Sequence, residues 1–280
     1  MPSQATIQQA WKLILWSKSF GQYLKCTDAI PLKVKLKYKL GAEHNTYCIS
    51  WNIFILVLIT NDKTTDKYHC YVLGNVPNTD VVESFKSEEE LLQRLYQKYL
   101  EINPTILSGW NIDGFDIPYL YNRTVRVLGQ QFANSLSPIG EVFYSEHKKR
   151  YKIAGVSVLD YLALYKTFTF SQRSSYRLDD IANYELGEKK ISYDGTLNDL
   201  YENDIDKFVQ YNLQDVKLVK KLDEKLDFIE VARGLAHLGH CPYEDVFMSS
   251  RYLEGAILVY LRKNSIVAPN KPKRSNGRGF

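Results

Sequence analysis

The hydrophobic and polar positions of this 280-residue chain predict a hairpin first and then an alternation of strands and helices. Residues 47–60 form a β-rich apolar run, and the polar turn at 61–67 separates it from an alternating segment at 68–73. Ser87 followed by Glu90 is typical of a capping box, which predicts a helix through about Tyr99. A strand at 106–110 and a helix at 117–128 follow.

The second half continues this alternation. A strand is predicted at 151–160, and helices are predicted from Tyr161, at 178–184, at 204–229 and at 249–263. The tail at 269–279 is a basic, turn-rich linker. A hairpin followed by alternating strands and helices predicts an α/β fold, with a mixed sheet flanked by helices. The longest apolar run, Ile53–Ile59, is too short to span a bilayer, so we expect no membrane partner.

The candidate chemistry begins at Asp116, between a predicted strand and a predicted helix. Taken alone, an Asp here is an N-cap, because Pro118 also suits the first turn of a helix. The residues around it change this interpretation, since capping requires none of Asn111, Gly114, Phe115, Pro118 and Tyr119. Together they resemble the second exonuclease motif of family B DNA polymerases, Asn-x-x-Gly-Phe-Asp-x-Pro-Tyr.

A second carboxylate lies on the long predicted helix. Tyr211 and Asp215 are four residues apart, so they share one helix face, and an apolar stripe continues that face through Val219, Leu222, Leu226 and Ile229. A buried Asp needs a partner, either an Arg or Lys at the core rim or a metal ion. Tyr-x-x-x-Asp-Val resembles the third exonuclease motif of the same family. Further similarity to phage-type members occurs at 159–161, 176–182, 249–251 and 267–270.

This resemblance implies an RNase H-like (DEDDy) exonuclease fold and a 3′→5′ proofreading exonuclease. By the same resemblance, two divalent ions, Mg²⁺ or Mn²⁺, assist phosphodiester hydrolysis. Asp116 and Asp215 are then metal ligands and catalytic residues, and Tyr211 orients the attacking water. Asn111 and Phe115 contact the 3′-terminal nucleotide of DNA. The implied partners are single-stranded DNA, primer-template DNA and the rest of a polymerase chain.

The first motif of the family should supply a D-x-E, and none occurs in residues 1–60. One placement is Cys26–Ile30, which keeps Asp28 as a metal ligand and agrees better with the family's spacing to the hairpin. The other is Ile49–Phe54, which loses both carboxylates and severely shortens the following loop. A third alternative is that the natural chain differs over this N-terminal stretch. The alternative function is therefore an exonuclease-fold module with a crippled metal site that binds single-stranded DNA or organises the polymerase.

Polymerase chemistry itself is not expected from this chain, because neither D-x-x-S-L-Y-P-S nor D-T-D is present to hold polymerase metals. A stand-alone nuclease outside replication is disfavoured, since 264–271 resembles the approach to a polymerase palm. The expected divisions are an N-terminal segment at 1–46, the exonuclease domain at 47–232 and a helical linker at 233–280.

Charge and cysteine usage add little to this assignment. The net charge is +4, and a strand with one basic face is predicted from Lys33, Lys35, Lys37 and Lys39. Lysines that protect an edge strand explain this pattern somewhat better than a DNA-contacting strip. Four scattered cysteines without C-x-x-C and the absence of a signal peptide predict a cytoplasmic location, in a bacterial or phage-infected cell.

Overall fold

The computed structural model describes residues 46–51, 57–63, 65–191, 195 and 197–268. Within these residues the mixed α/β architecture is confirmed. The strands are β1 (Thr46–Trp51), β2 (Val57–Asp62), β3 (Lys67–Leu73), β4 (Val82–Phe85), β5 (Ile106–Gly109), β6 (Val142–Ser145), β7 (Arg150–Ile153) and β8 (Ser157–Asp160). Six of them form one sheet in the order β4-β3-β2-β1-β5-β8, and β6 pairs with β7 separately.

The helices flank this sheet. They are α1 (Glu88–Ile102), α2 (Ile117–Leu128), α3 (Gln130–Ala133), α4 (Tyr161–Phe168), α5 (Leu178–Leu186), α6 (Leu197–Asn203), α7 (Ile205–Leu226), α8 (Phe228–Gly239) and α9 (Ser249–Lys263). Short 3₁₀ turns occur at Asn134–Leu136 and Tyr243–Phe247, and a π-helical turn occurs at Ile112–Asp116. The structure confirms the helices predicted at 117–128 and 249–263, and the Ser87 side chain accepts the Glu90 amide at 3.3 Å.

Strand directions determine which loops meet. β1 is antiparallel to β2 and parallel to β5, and β5 is parallel to β8. The carboxyl ends of β1, β5 and β8 therefore lie at the same edge of the sheet. Gly109 at the end of β5 pairs with Asp160 at the end of β8, so the two loops that follow begin side by side.

The core lies on both faces of the sheet because neighbouring strand residues point to opposite sides. Leu107 of β5 joins a cluster with α1 and α2, whereas Ile106 joins a cluster with α4, α5, α7 and α8. The side chains of β3 alternate in the same way. Tyr71 packs with α1, whereas Cys70 and Val72 pack with the first half of α7. This arrangement holds α2 and α7 on opposite faces of one sheet.

The strand predictions differ from the structure in three respects. The apolar run at 47–60 contains two strands, β1 and β2, although the hairpin with β3 is confirmed. The single strand predicted at 151–160 is wrong, because the chain turns between β7 and β8 at Gly155. This residue has φ of 86°, and an added Cβ would lie 2.6 Å from the Pro138 ring, so glycine is required there. β4 and β6 were not predicted.

The single helix predicted at 204–229 is also wrong. Asp227 adopts the left-handed conformation, with φ of 56°, and its amide donates to the Asp223 carbonyl at 2.7 Å. The Asp223 side chain then accepts the Ile229 amide at the start of α8, where amides lack helical partners. Ile229 therefore belongs to α8, and the stripe that begins at Tyr211 ends with α7.

Some predictions fall on other parts of the chain. The basic strand at 33–39, Asp28 and the linker at 269–279 lie outside the described residues. The boundaries at 46 and 232 stay predictions. Over the ranges that the structure describes, no helix is long and apolar enough to cross a membrane.

Candidate active site

The first part of the site is the turn between β5 and α2. Asn111 has φ of 63°, and its carbonyl accepts the amides of Gly114 and Phe115 at 3.1 Å each. A Cβ at position 114 would lie 2.7 Å from Asn111 Oδ1, so glycine is needed for the Asn111 side chain to fold over the turn. The Ile117 amide donates to the carbonyl of Ile112, which closes one π-helical turn. Such turns are frequent at functional sites.

Asp116 ends this turn, and the interpretation as an N-cap is wrong. Its backbone is helical, with φ of −64° and ψ of −51°, and its side chain makes no capping hydrogen bond to α2. The side chain is nevertheless buried. Because the side chain does not cap α2, helix initiation does not explain why an Asp is buried at this position.

Phe115 lies beside this buried carboxylate and remains partly exposed. Its ring stacks parallel on Tyr119, with a centroid separation of 6.0 Å and an interplanar angle of 4°. The exposed fraction of Phe115 is 37%. An aromatic face held in this way can stack on a nucleic-acid base.

The second part of the site is α7, which begins where Asp204 accepts the Lys207 amide at 2.9 Å. α7 packs on β1, β2 and β3, and the π-helical turn also packs on β1. The two elements that carry Asp116 and Asp215 therefore meet the same strand. Asp215 is buried, and Tyr211 lies one turn earlier and is half-buried.

Within the described ranges, Asp215 pairs with one cation. Lys190 Nζ lies 2.6 Å from Asp215 Oδ2 and 5.3 Å from the centroid of the Tyr211 ring. The Lys190 amide donates to Asp179 Oδ1 at 2.7 Å, which holds this segment near α5. The alternative of a lysine partner is thus correct for one oxygen. The other, Oδ1, is buried and has no hydrogen-bond partner within the described part of the chain.

Burial dominates the ionisation of this pair. It raises the pKa of Asp215, and the Lys190 charge opposes that effect. Burial also lowers the pKa of Lys190, but the charge and hydrogen bond of Asp215 outweigh it and leave that pKa above its ordinary value. Each charge of the pair therefore opposes the effect that burial has on the pKa of the other group.

A second ionic network holds the π-helical turn from outside. Arg150 of β7 pairs with Asp113, and its other terminal nitrogen lies 3.6 Å from Glu244 Oε2. The Asp113 amide donates to Asp160 Oδ2 at 3.2 Å, and Asp160 Oδ1 accepts the Ala163 amide at 3.2 Å. The turn is therefore tied to the β6–β7 hairpin, to the end of β8 and to the 3₁₀ turn at 243–247.

Comparison with known proteins assigns this chain to a family. The family described as DNA polymerase family B, exonuclease domain, matches residues 33–181. The chain belongs to the family B DNA polymerases. It carries their 3′→5′ exonuclease domain, and the match includes the turn that holds Asp116.

Individual relatives extend the similarity further along the chain. The DNA-directed DNA polymerase of Enterobacteria phage T4 is 28% identical over 92% of this chain, and that of Escherichia phage RB69 is 34% identical over 66%. DNA polymerase 1 of Sulfolobus acidocaldarius is 35% identical over 50%. The chain spans 31%, 21% and 15% of the lengths of these three relatives, respectively.

Exonuclease domains of family B polymerases use divalent metals. The unpartnered oxygen of Asp215 and the buried, non-capping Asp116 fit oxygen-seeking cations. Among the residues that can be described, no group of three or more His, Cys, Asp or Glu is close enough to hold a metal ion. The sequence of β1 and of residues 52–56 after it contains no Asp or Glu.

Sequence reasoning missed Lys190, Arg150 and Glu244. Lys190 is 25 residues from Asp215, and Arg150 is 37 residues from Asp113. No helical or strand periodicity links positions so far apart. The sequence predicts an Arg or Lys as one possible partner of Asp215, but only the fold shows that the partner is Lys190.

The Asp113 network predicts a pH-dependent stability. Burial raises the pKa of Asp113 from 3.8 to about 6, with Arg150 opposing and Asp160 and Glu244 adding to the shift. Because the folded state binds this proton more tightly, ionised Asp113 disfavours folding as pH rises through about 4 to 6, by on the order of 3 kcal/mol. Denaturant unfolding of the wild type and of Asp113→Asn should therefore give a free-energy difference that changes over this window and is constant above it. A difference independent of pH would contradict the assigned burial.

Removal of the Lys190 charge should destabilise the metal-free chain. Lys190→Met leaves Asp215 without its cation and should lower the free energy of unfolding in EDTA by about 3 kcal/mol. The double variant with Asp215→Asn should recover most of this loss, as measured in a double-mutant cycle. Lys189→Met, at an exposed neighbouring lysine, is the matched control. Equal losses for both lysine variants would show that the Lys190–Asp215 pair contributes nothing specific.

Proposed function

We propose that this chain is the proofreading part of a longer DNA polymerase and removes nucleotides from single-stranded 3′ ends in an RNase H-like (DEDDy) exonuclease site. The observation that carries the proposal is the pair of buried carboxylates, Asp116 and Asp215, on two elements packed against β1. One of them does not cap its helix, and the other has an oxygen without a described partner. The family match supports the same reaction class.

Asp116 and Asp215 would hold Mg²⁺ or Mn²⁺, which supplies an activated water and stabilises the leaving oxygen. Lys190 keeps the Asp215 carboxylate oriented through Oδ2 and leaves Oδ1 for a cation. Tyr211, one helical turn from Asp215, would direct the attacking water through its hydroxyl. Phe115, braced by Tyr119, would stack on the terminal base, and Asn111 would contact the same nucleotide.

In the longer protein, DNA synthesis would take place outside this exonuclease domain. Because the chain spans less than a third of the phage T4 polymerase, we propose that the missing length contains the polymerase centre. Primer-template DNA would then be a partner of the whole protein, and the frayed single strand would reach this domain. α8 packs on α4 and also contacts α9, so it joins α9 to the helices that cover the sheet.

The assigned roles predict separable kinetic effects. Asp116→Asn and Asp215→Asn should each reduce hydrolysis of a labelled single strand by several orders of magnitude, since each removes a metal ligand. Tyr211→Phe should lower turnover more than DNA affinity, because its hydroxyl serves the water. Asp180→Asn, at an exposed carboxylate on α5, is the control and should retain activity. Full turnover with weakened binding in Tyr211→Phe would reverse its assignment.

A second candidate function is a binding module with a crippled metal site. The observation that favours it is the composition of β1, the strand that contacts both carboxylate-bearing elements. A first motif placed at 49–54 begins in this strand, yet the sequence there has no acid. The position of β1 also favours the placement of the first motif at 49–54 over the placement at Asp28, which stays a prediction.

Restoring carboxylates should distinguish the two placements. Ile30→Glu completes a D-x-E at Asp28, whereas the double variant Asn52→Asp/Phe54→Glu builds one after β1. The correct replacement should raise the exonuclease rate in Mg²⁺ by orders of magnitude and leave affinity for single strands about the same. Rates are compared on a labelled single strand. Robust activity of the unmodified chain would instead show that the site needs neither replacement.

A further inference from the structure

The loop between α4 and α5, residues 169–177, exposes the ring of Phe170. Its exposed fraction is 97%, the highest of any large hydrophobic side chain in the described residues. A single exposed hydrophobic residue is common on protein surfaces and indicates nothing by itself. Three properties of the surrounding loop make this one informative: its rigidity, its charge and its attachment to the candidate active site.

The loop is fastened to the core by Arg173. The Arg173 guanidinium lies 3.7 Å from the centroid of the Tyr184 ring, and its Nε donates to the Tyr165 hydroxyl at 3.0 Å. Its Nη2 lies 3.3 Å from Glu185 Oε1. Tyr165 is fully buried, so these contacts connect the loop to the interior. An aromatic ring presented by such a support loses little conformational entropy when it binds a partner.

The segment around this loop carries only positive charges. From Lys166 to Arg177 the sequence contains three basic residues and no acid, and the next acid is Asp179. Lys166 and Arg177 are exposed, and the Lys166 ammonium lies 4.8 Å from the Tyr176 ring centroid. Exposed cations beside an exposed aromatic ring are the combination that binds phosphates and bases of a single strand.

The loop is attached directly to the proposed DNA site. The Trp110 indole N–H donates to the Tyr176 carbonyl at 3.2 Å. Trp110 immediately precedes Asn111 in the chain, at the start of the turn that presents Phe115. Trp110 therefore connects the turn that presents Phe115 to the 169–177 loop.

We propose that the 169–177 loop is a second stacking platform for single-stranded DNA, on which Phe170 stacks a base upstream of the terminal nucleotide and Lys166 contacts the backbone phosphate. The inference rests on the proposed exonuclease function, because it assigns more of the same strand to this surface. Base stacking on Phe170 contributes binding energy that does not depend on salt concentration. The contact between Lys166 and a phosphate contributes the salt-dependent part.

The test measures binding of fluorescently labelled dT12 to the 280-residue chain by anisotropy, in EDTA to prevent hydrolysis. Phe170→Ala should weaken binding by about 5- to 150-fold, with no change in the slope of log affinity against log salt. Phe170→Trp should retain affinity, whereas Phe170→Leu should not, because leucine is apolar but cannot stack. Lys166→Met should reduce the magnitude of the salt slope by about 0.7.

Tyr260→Ala is the matched control, since this aromatic ring on α9 is 57% exposed and lies outside the proposed path. Affinity of Phe170→Ala within twofold of the wild type overturns the proposal. A wild-type dimer in light scattering that Phe170→Ala dissociates also overturns it, because the ring would then serve contacts between copies. Weakened binding in Phe115→Ala but not in Phe170→Ala rejects only the second platform, whereas no effect of Phe115→Ala rejects the proposed DNA site itself.

Discussion

The burial of Asp215 against the sheet is the constraint on which the candidate site depends. A carboxylate removed from water is stable only when nearby groups replace its hydration, and Lys190 does so for one oxygen. The same physics operates at Asp113, where Arg150 offsets part of the cost of burial. Two ion pairs therefore fix the two elements that present the candidate ligands. Each pair joins segments distant in sequence, so local helix or strand formation alone cannot assemble the site.

Sheet topology explains why these segments meet. β1, β5 and β8 run in parallel, and loops that leave their carboxyl ends converge at one edge. The turn after β5 carries Phe115 and Asp116, and Asp160 at the end of β8 accepts the amide of Asp113 in that turn. α7 packs on β1 and brings Asp215 toward the same strand. The arrangement needs no irregular strand, only one tight turn that glycine at position 114 permits.

Local signals predicted much of this fold from the sequence. The Ser87 cap, the β2–β3 hairpin and the shared face of Tyr211 and Asp215 each depend on residues that are close in the chain. Asp116 shows the limit of such reasoning, because its spacing to Pro118 is that of a cap, whereas the backbone forms a π-helical turn. The sequence also gives no sign that the helix ends at Asp227. The helical spacing of apolar residues continues past this position, and only the left-handed backbone of Asp227 interrupts the helix.

Charge balance links these observations to the missing D-x-E. By family resemblance, four carboxylates would neutralise two divalent ions. Here the described site offers Asp116 and Asp215, and the Lys190 ammonium already offsets one of them. With both carboxylates ionised and Lys190 protonated, one divalent ion would leave this set with one excess positive charge. A second ion would leave three, and an excess of like charge in a partly buried site is costly. Single-strand binding through Phe115 does not depend on the second ion, because stacking requires no metal. The two described carboxylates alone would therefore balance the charge of one divalent ion better than that of two.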